Sequence, residues 1–128
     1  MKILKYLLQA AVSLVVLNVW LFRFNQSTIY RGGEASNMIE EFAVYGLSET
    51  FVYLIGGLKV IAALGLLIGF FKEKVILPSA LVMASLMVGA IFMHFKVSDD
   101  AIKFLPAGLM FIFSVGIIFL QKNINSTT

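Results

Sequence analysis

Residues 51–71 read FVYLIGGLKVIAALGLLIGFF, and within this stretch the single charge is Lys59. In water such a run would be an aggregation hazard. In a bilayer it is a span, because about 20 apolar residues cross a hydrocarbon core roughly 30 Å thick. The backbone must then satisfy its own hydrogen bonds, so the span is a helix. The lysine becomes the anomaly to be explained.

Working outward, comparable runs occupy about 3–22, 75–93 and 104–120. The 128-residue chain is 60% hydrophobic and 13% charged, with a mean hydropathy of +0.96. A chain of this size makes one domain and has too little interior to hide that much apolar surface, so the rest faces lipid. The expected fold is all-α: an integral membrane four-helix bundle formed by residues 1–128 in contact with the lipid bilayer. The N-terminal MKILKYLLQAAVSLVVLNVWLF places Lys2 and Lys5 before an apolar core, as a signal peptide does. Its apolar run is too long, and no small-x-small site follows closely, so it reads as a retained first helix.

Several functions are excluded by composition. Without cysteine there are no disulfides and no thiolate chemistry. A single histidine, His94, excludes a bis-histidine haem within one chain, and as a lone ligand it makes no metal site. The net charge of +3 and pI near 9.3 come from dispersed basic residues, so no nucleic-acid partner is expected.

Four spans put both termini on one side, called here the near side, with Lys2, Lys5, the turn KEK at 72–74 and the tail QKNINSTT. The far side carries loops at about 23–50 and 94–103. Five near-side basic residues (Lys2, Lys5, Lys72, Lys74, Lys122) against four far-side ones (Arg23, Arg31, Lys96, Lys103) favour a cytoplasmic near side. Trp20, Tyr30, Tyr45 and Tyr53 cluster towards the far boundary, as interfacial anchors do. Six of the seven acids (Glu34, Glu40, Glu41, Glu49, Asp99, Asp100) are on the far side, so a site would open there.

In the first loop, Gly32 and Gly33 predict a sharp turn. Ile39, Phe42, Ala43 and Gly46 then form an apolar stripe, with Asn37, Glu40 and Glu41 off it. The spacing predicts a short amphipathic helix over about 37–46, ended by Gly46. Ser48 with Glu49, and Ser98 with Asp99 and Asp100, are expected to cap the second and fourth spans, the acids favoured by the helix dipole. Small residues four apart (Gly65 and Gly69, Ala80 and Ala84, Ser85 and Gly89) predict close packing inside the bundle.

Lys59 lies roughly 12–17 Å below the far boundary, near the midplane of a core about 30 Å thick. An unpaired lysine there costs about 2.5–3.5 kcal/mol on insertion scales. Gly56, Ala62 and Ala63 share its side of the helix, so it is expected to face the interior. Two readings stand: a lysine snorkelling its ammonium to water, or a buried polar site. Partners within reach are Asn18, His94, and Glu40 or Glu41 if the loop helix dips inward. His94 continues a stripe through Met83, Met87 and Ala90, which is core packing in one reading and a proton-exchanging group at a cavity mouth in the other. Arg31 is expected to tie the loop to Glu40, Glu41 or an Asp of the second loop. The candidate ligand-binding set is Lys59, His94, Asn18, Arg31 and Glu41; no residue can be assigned a catalytic role.

The stretches IGGLKVIAALGLLIGF and GAIFMHFKVSDDAIKFLPAGL resemble the DoxX-like family of small four-helix membrane proteins, over about 50–115. The matching features are Lys59 in a Gly-rich second span, Gly89, Ala90, His94, Asp99 or Asp100, and Pro106; many members carry an acid where this chain has Lys59. The resemblance implies a bacterial inner-membrane protein, its termini cytoplasmic by the basic-residue count above, with no agreed catalytic residues. It implies a non-autonomous subunit with a polar pocket for a quinone or other amphiphile, serving a membrane redox complex. The alternative is a non-enzymatic assembly or interaction protein for another membrane protein. No cofactor fingerprint is present, the resemblance implies only a bound quinone or lipid, and the chain by itself is not expected to be an enzyme. With cytoplasmic termini, a reporter fused to the C-terminus is expected to be active only in its cytoplasmic form; activity restricted to a periplasmic reporter would reverse the orientation.

Overall fold

The structure is a computed structural model that describes residues 2–26 and 28–126. Met1, Ser27 and the last two residues of the near-side tail, Thr127 and Thr128, lie outside the described residues. Five α-helices form: α1 (Lys2–Leu17), α2 (Met38–Val44), α3 (Glu49–Ile68), α4 (Ile76–Lys96) and α5 (Leu105–Ser126). A π turn (Asn18–Phe22) prolongs α1, and 3-10 turns lead into α4 and α5. With these extensions four helices are long and apolar enough to cross a membrane: Lys2–Phe22, Glu49–Ile68, Glu73–Lys96 and Ala101–Asn125. The fourth is longer at both ends than its apolar run, 104–120.

The four spans close a ring in which α1 packs on α3 and α5, and α4 packs on the same two helices. The termini share one end, where Lys5 of α1 meets Gln121 of α5. Small residues set the approach of the helices, as lipid supplies no hydrophobic drive for it. A methyl group on Gly65 would fall 2.0 Å from Ser79 Oγ, and one on Gly69 would fall 2.4 Å from Ile76. Ala62, Ala63, Ala80 and Ala84 are buried beside them. These small residues therefore serve contacts within the bundle.

The near half of the core is unexpectedly polar. Lys5, Gln9 and Ser13 share the inward stripe of α1 with Val12 and Val16, and all five are buried. Lys5 Nζ donates to Gln121 Oε1 at 2.9 Å, and Gln121 Nε2 donates to Asn125 Oδ1 at 2.9 Å. Gln9 Nε2 donates to the Leu66 carbonyl at 3.0 Å, while its Oε1 has no hydrogen-bond partner among the described residues. Lys5 is thus no basic flank residue but an interhelix tie, because helical spacing rotates it onto the same face as Val12 and Val16.

On the far side, α2 and α4 end alike. Leu47 N–H bonds the Phe42 carbonyl and Gly46 N–H the Ala43 carbonyl, with Gly46 at φ +82°. Asp99 N–H bonds the His94 carbonyl and Ser98 N–H the Phe95 carbonyl, with Ser98 at φ +56°. This double bond pattern around a left-handed residue is the Schellman motif. Ser98 therefore stops the third span and does not cap the fourth. Ser48 precedes α3 without a side-chain cap bond.

Gly56 lies where α3 crosses Trp20: an added Cβ would meet the indole at 2.4 Å. By contrast Gly57 is exposed, and a Cβ there meets nothing within 4 Å. Overpacking costs about 1–3 kcal/mol, so Gly56→Ala is expected to lower the thermal midpoint in detergent. Gly57→Ala is expected to leave that midpoint unchanged or raise it. Equal midpoints for the two variants would contradict the Trp20 contact.

Candidate functional site

The far halves of the spans and the first loop enclose a cavity of about 500 Å³, within the ~300–1,000 Å³ range of ligand pockets. Its wall is mostly apolar, and Lys59, His94, Asn18, Arg31 and Glu41 all contribute to it. Helical geometry explains why. The buried face of α2 runs through Met38, Phe42 and Tyr45, not through Ile39 and Ala43. The helix is turned by about one residue, roughly 100°, from the expected stripe. That rotation brings Glu41 to the cavity wall and leaves Glu40 in solvent, where it completes a cap with Asn37: Glu40 N–H donates to Asn37 Oδ1 at 2.8 Å and Asn37 Nδ2 to Glu40 Oε2 at 2.8 Å.

Lys59 faces the interior, as its small neighbours imply. Its Nζ lies 5.4 Å from the centroid of a Trp20 ring, inside the roughly 6 Å reach of a cation–π contact. Among the described residues it donates no hydrogen bond, so its three protons are available to the cavity. Glu41 lies within its electrostatic reach. Burial pushes the Glu41 carboxyl up, opposed by the Gly32 N–H bond at 2.9 Å and by the charges of Arg31, His94 and Lys59. Trp20 itself is buried beneath the loop, edge-on to Phe42 with ring centroids 6.0 Å apart. It is not an interfacial anchor, and neither is Tyr45, which is also buried. Tyr53 and Tyr30 remain at the surface.

His94 is fixed by a residue that helical spacing alone does not reach. The Schellman turn at Ser98 folds the chain back, and Asp99 Oδ2 comes to 2.7 Å from His94 Nδ1. Asp99 is therefore a partner of His94, not a first-turn acid of the fourth span. A carboxylate on Nδ1 sets the ring tautomer and orientation and leaves Nε2 for proton exchange. Tyr45 stands edge-on to the imidazole, its hydroxyl 3.5 Å from both ring nitrogens, at the outer limit of a hydrogen bond. Burial, with Glu41 and Asp99 adding to it, drives the Tyr45 phenol far above its ordinary value. It therefore stays neutral.

The same Asp99 latches the loop over the cavity: its Oδ1 accepts from Gly33 N–H at 2.8 Å. Lys103 Nζ donates to the carbonyls of Arg31 (2.5 Å) and Gly33, and Lys96 Nζ donates to the Tyr45 carbonyl at 3.0 Å. Arg31 is buried, but its guanidinium holds the carbonyls of Arg23, Phe24 and Gln26 and touches Met38 Sδ, without an acid partner among the described residues. It ties the loop to itself; of the acids expected to hold it, Glu41 bonds Gly32, Glu40 bonds Asn37, and Asp99 bonds Gly33 and His94 instead. Asn18 opens the π turn, where Arg23 N–H reaches the Asn18 carbonyl at 3.0 Å. Such turns recur at functional sites. Among the described residues no cluster of metal-ligating side chains forms.

Residues 14–117 match the DoxX-like family. The chain belongs to that family. No curated protein and no solved structure matches it. The matched segment takes in α1 from Leu14 onwards and the whole loop, beyond the 50–115 recognisable by eye. Every cavity-lining residue of this DoxX-like protein lies inside the segment, whereas Lys5, Gln9 and Gln121 lie outside it.

Trp20, Tyr45, Asp99 and Lys103 join the site although sequence reasoning left them out. For Asp99 the available signal was its position five residues after His94, where a left-handed residue between them returns the chain.

The latch has a pH signature. Burial alone would raise Asp99, but His94, the Gly33 N–H and the Lys103 charge outweigh it and hold the carboxyl below its ordinary value. A carboxyl lowered on folding stabilises the fold above its unfolded pKa, about 3.9, and that contribution is lost as pH falls through the lower folded value. Asp99→Asn is expected to cost about 1–3 kcal/mol at neutral pH and to flatten the acid limb of thermal stability. A midpoint unchanged at pH 7 would contradict the latch.

Proposed function

We propose that this DoxX-like protein is a non-autonomous membrane subunit that binds a quinone, or an amphiphile with a similar oxygen headgroup, and presents it to a redox partner in a bacterial inner membrane. One observation carries the reading: a mostly apolar cavity lined by an ammonium with unused protons. A quinone oxygen fits that donor, since hydrogen bonds to a charged group are about twice as strong as neutral ones. His94, with Nδ1 engaged by Asp99, offers Nε2 as a second donor or proton acceptor. The aromatic faces of Trp20 and Phe42 suit a flat ring. Electrons come from the partner; the chain itself binds and orients.

Trp20 is the single tryptophan and lines the cavity, so its fluorescence reports occupancy. Quinone titration in mild detergent is expected to quench it saturably, and lipid extraction to recover quinone in stoichiometric amount. Lys59→Met is expected to weaken binding about ten-fold or more, the effect of losing one charge-assisted hydrogen bond. Membrane insertion should be unchanged or improved, because an expensive charge has gone. Unaltered affinity in Lys59→Met would remove the ammonium from the site. Absence of quinone from the extract, with no quenching, would favour an assembly role for another membrane protein. Steady quinone turnover by the isolated chain would overturn the non-autonomous part of the proposal.

A further inference from the structure

The cavity is not confined beneath the loop. Its lining includes Ser85 and Gly89 of α4, and both are exposed. They belong to the outward face of that helix: Leu81, Val82, Val88 and Phe92, which surround them at helical spacing, are 41–60% exposed. That face is turned to lipid in a helix that spans the bilayer. A Cβ built on Gly89 meets nothing within 4 Å, so the space beside this lining residue is open. The cavity thus runs from Lys59 to the hydrocarbon-facing surface, through a gap floored by a hydroxyl and a glycine. Ser85 Oγ is engaged with the Leu81 carbonyl at 2.9 Å, which leaves the gap without an unpaired polar group of its own.

We propose that Ser85 and Gly89 form a lateral portal through which the ligand enters from the bilayer, and where its hydrocarbon tail rests once the headgroup meets Lys59. The ligand class is therefore a tailed, membrane-dissolved amphiphile rather than a solute from the far-side water. Three observations meet in this assignment. The loop is latched by Asp99, Lys96 and Lys103, so the route past it requires those bonds to break. The portal requires no bond to break. The headgroup end is polar and the exit is apolar, in the order an amphiphile needs. The inference rests on the quinone reading for the headgroup's identity, but not for the tail.

A Cβ at Gly89 has open space around it, so Gly89→Phe is expected to place a ring over the gap, and Gly57→Phe is its control. Gly57 is equally exposed and open on α3, yet it does not line the cavity. Stopped-flow quenching of Trp20 would follow a long-tailed quinone and a tail-free benzoquinone in vesicles. Gly89→Phe is expected to slow association of the long-tailed quinone by about ten-fold or more, with Gly57→Phe within about two-fold of wild type. The tail-free quinone, small enough to enter elsewhere, should be indifferent to both. Equal rates in the two variants would overturn the portal while leaving the pocket intact. If wild type binds neither quinone, the pocket reading fails by itself, and vesicles with brominated acyl chains still decide the portal. Quenching of Trp20 that Gly89→Phe lowers and Gly57→Phe does not would sustain it; identical quenching in all three proteins would end it.

Discussion

An ammonium at mid-membrane costs about 2.5–3.5 kcal/mol unless something polar or aromatic receives it, and the far half of this bundle is arranged around that requirement for Lys59. Trp20 offers its ring face, Glu41 supplies the nearest opposite charge in the wall, and the helices stand apart enough to leave a cavity. Gly56 makes the first of these possible, since any larger residue would displace the indole that covers the lysine. The loop helix makes the second possible by presenting Met38, Phe42 and Tyr45 inward with Glu41 beside them.

The two ends of the bundle solve the problem of buried polarity differently. At the near end Lys5 donates to Gln121 across α1 and α5, a bond that joins the two helices. At the far end Lys59 keeps its protons unused and faces space. Intramembrane polar groups that pair closely act as ties; those left facing a cavity act on what enters it. The extent of the DoxX-like match agrees with this division, covering the cavity and leaving out the Lys5 tie.

The lid is held by its apolar face, with Met38, Phe42 and Tyr45 packed into the core, and by bonds to main-chain carbonyls and the Asp99 carboxylate. Arg31 and Lys103 spend their charges on carbonyls of the loop, which stiffens it but contributes little attraction for a ligand. Lys59, by contrast, donates no hydrogen bond among the described residues, and its charge is left to act on a ligand. A lid so bonded is in keeping with the proposed entrance from the membrane plane.

Four spans, a helical fold, the shared side of the termini and the inward direction of Lys59 were legible in the residues themselves. They follow from length, apolarity and the 3.6-residue period, which act locally along the chain. The five candidates Lys59, His94, Asn18, Arg31 and Glu41 could be collected from the same reasoning, because polar residues near a membrane midplane or on one loop stand out. What they bond could not. Arg31 found carbonyls where an acid was expected, Asp99 turned back onto His94, Lys5 turned inward, and Trp20 and Tyr45 left the interface for the core. Asp99 depends on a single left-handed residue, Ser98, and Tyr45 on a rotation of α2 by about 100°, neither of which leaves a periodic trace in sequence. Lys5 shares a helical stripe with Val12 and Val16, but its partner across the bundle, Gln121, leaves none. The cavity depends on how far apart four helices stand. Only the packed structure decides that, since it is set by which small residues meet which large ones across the bundle.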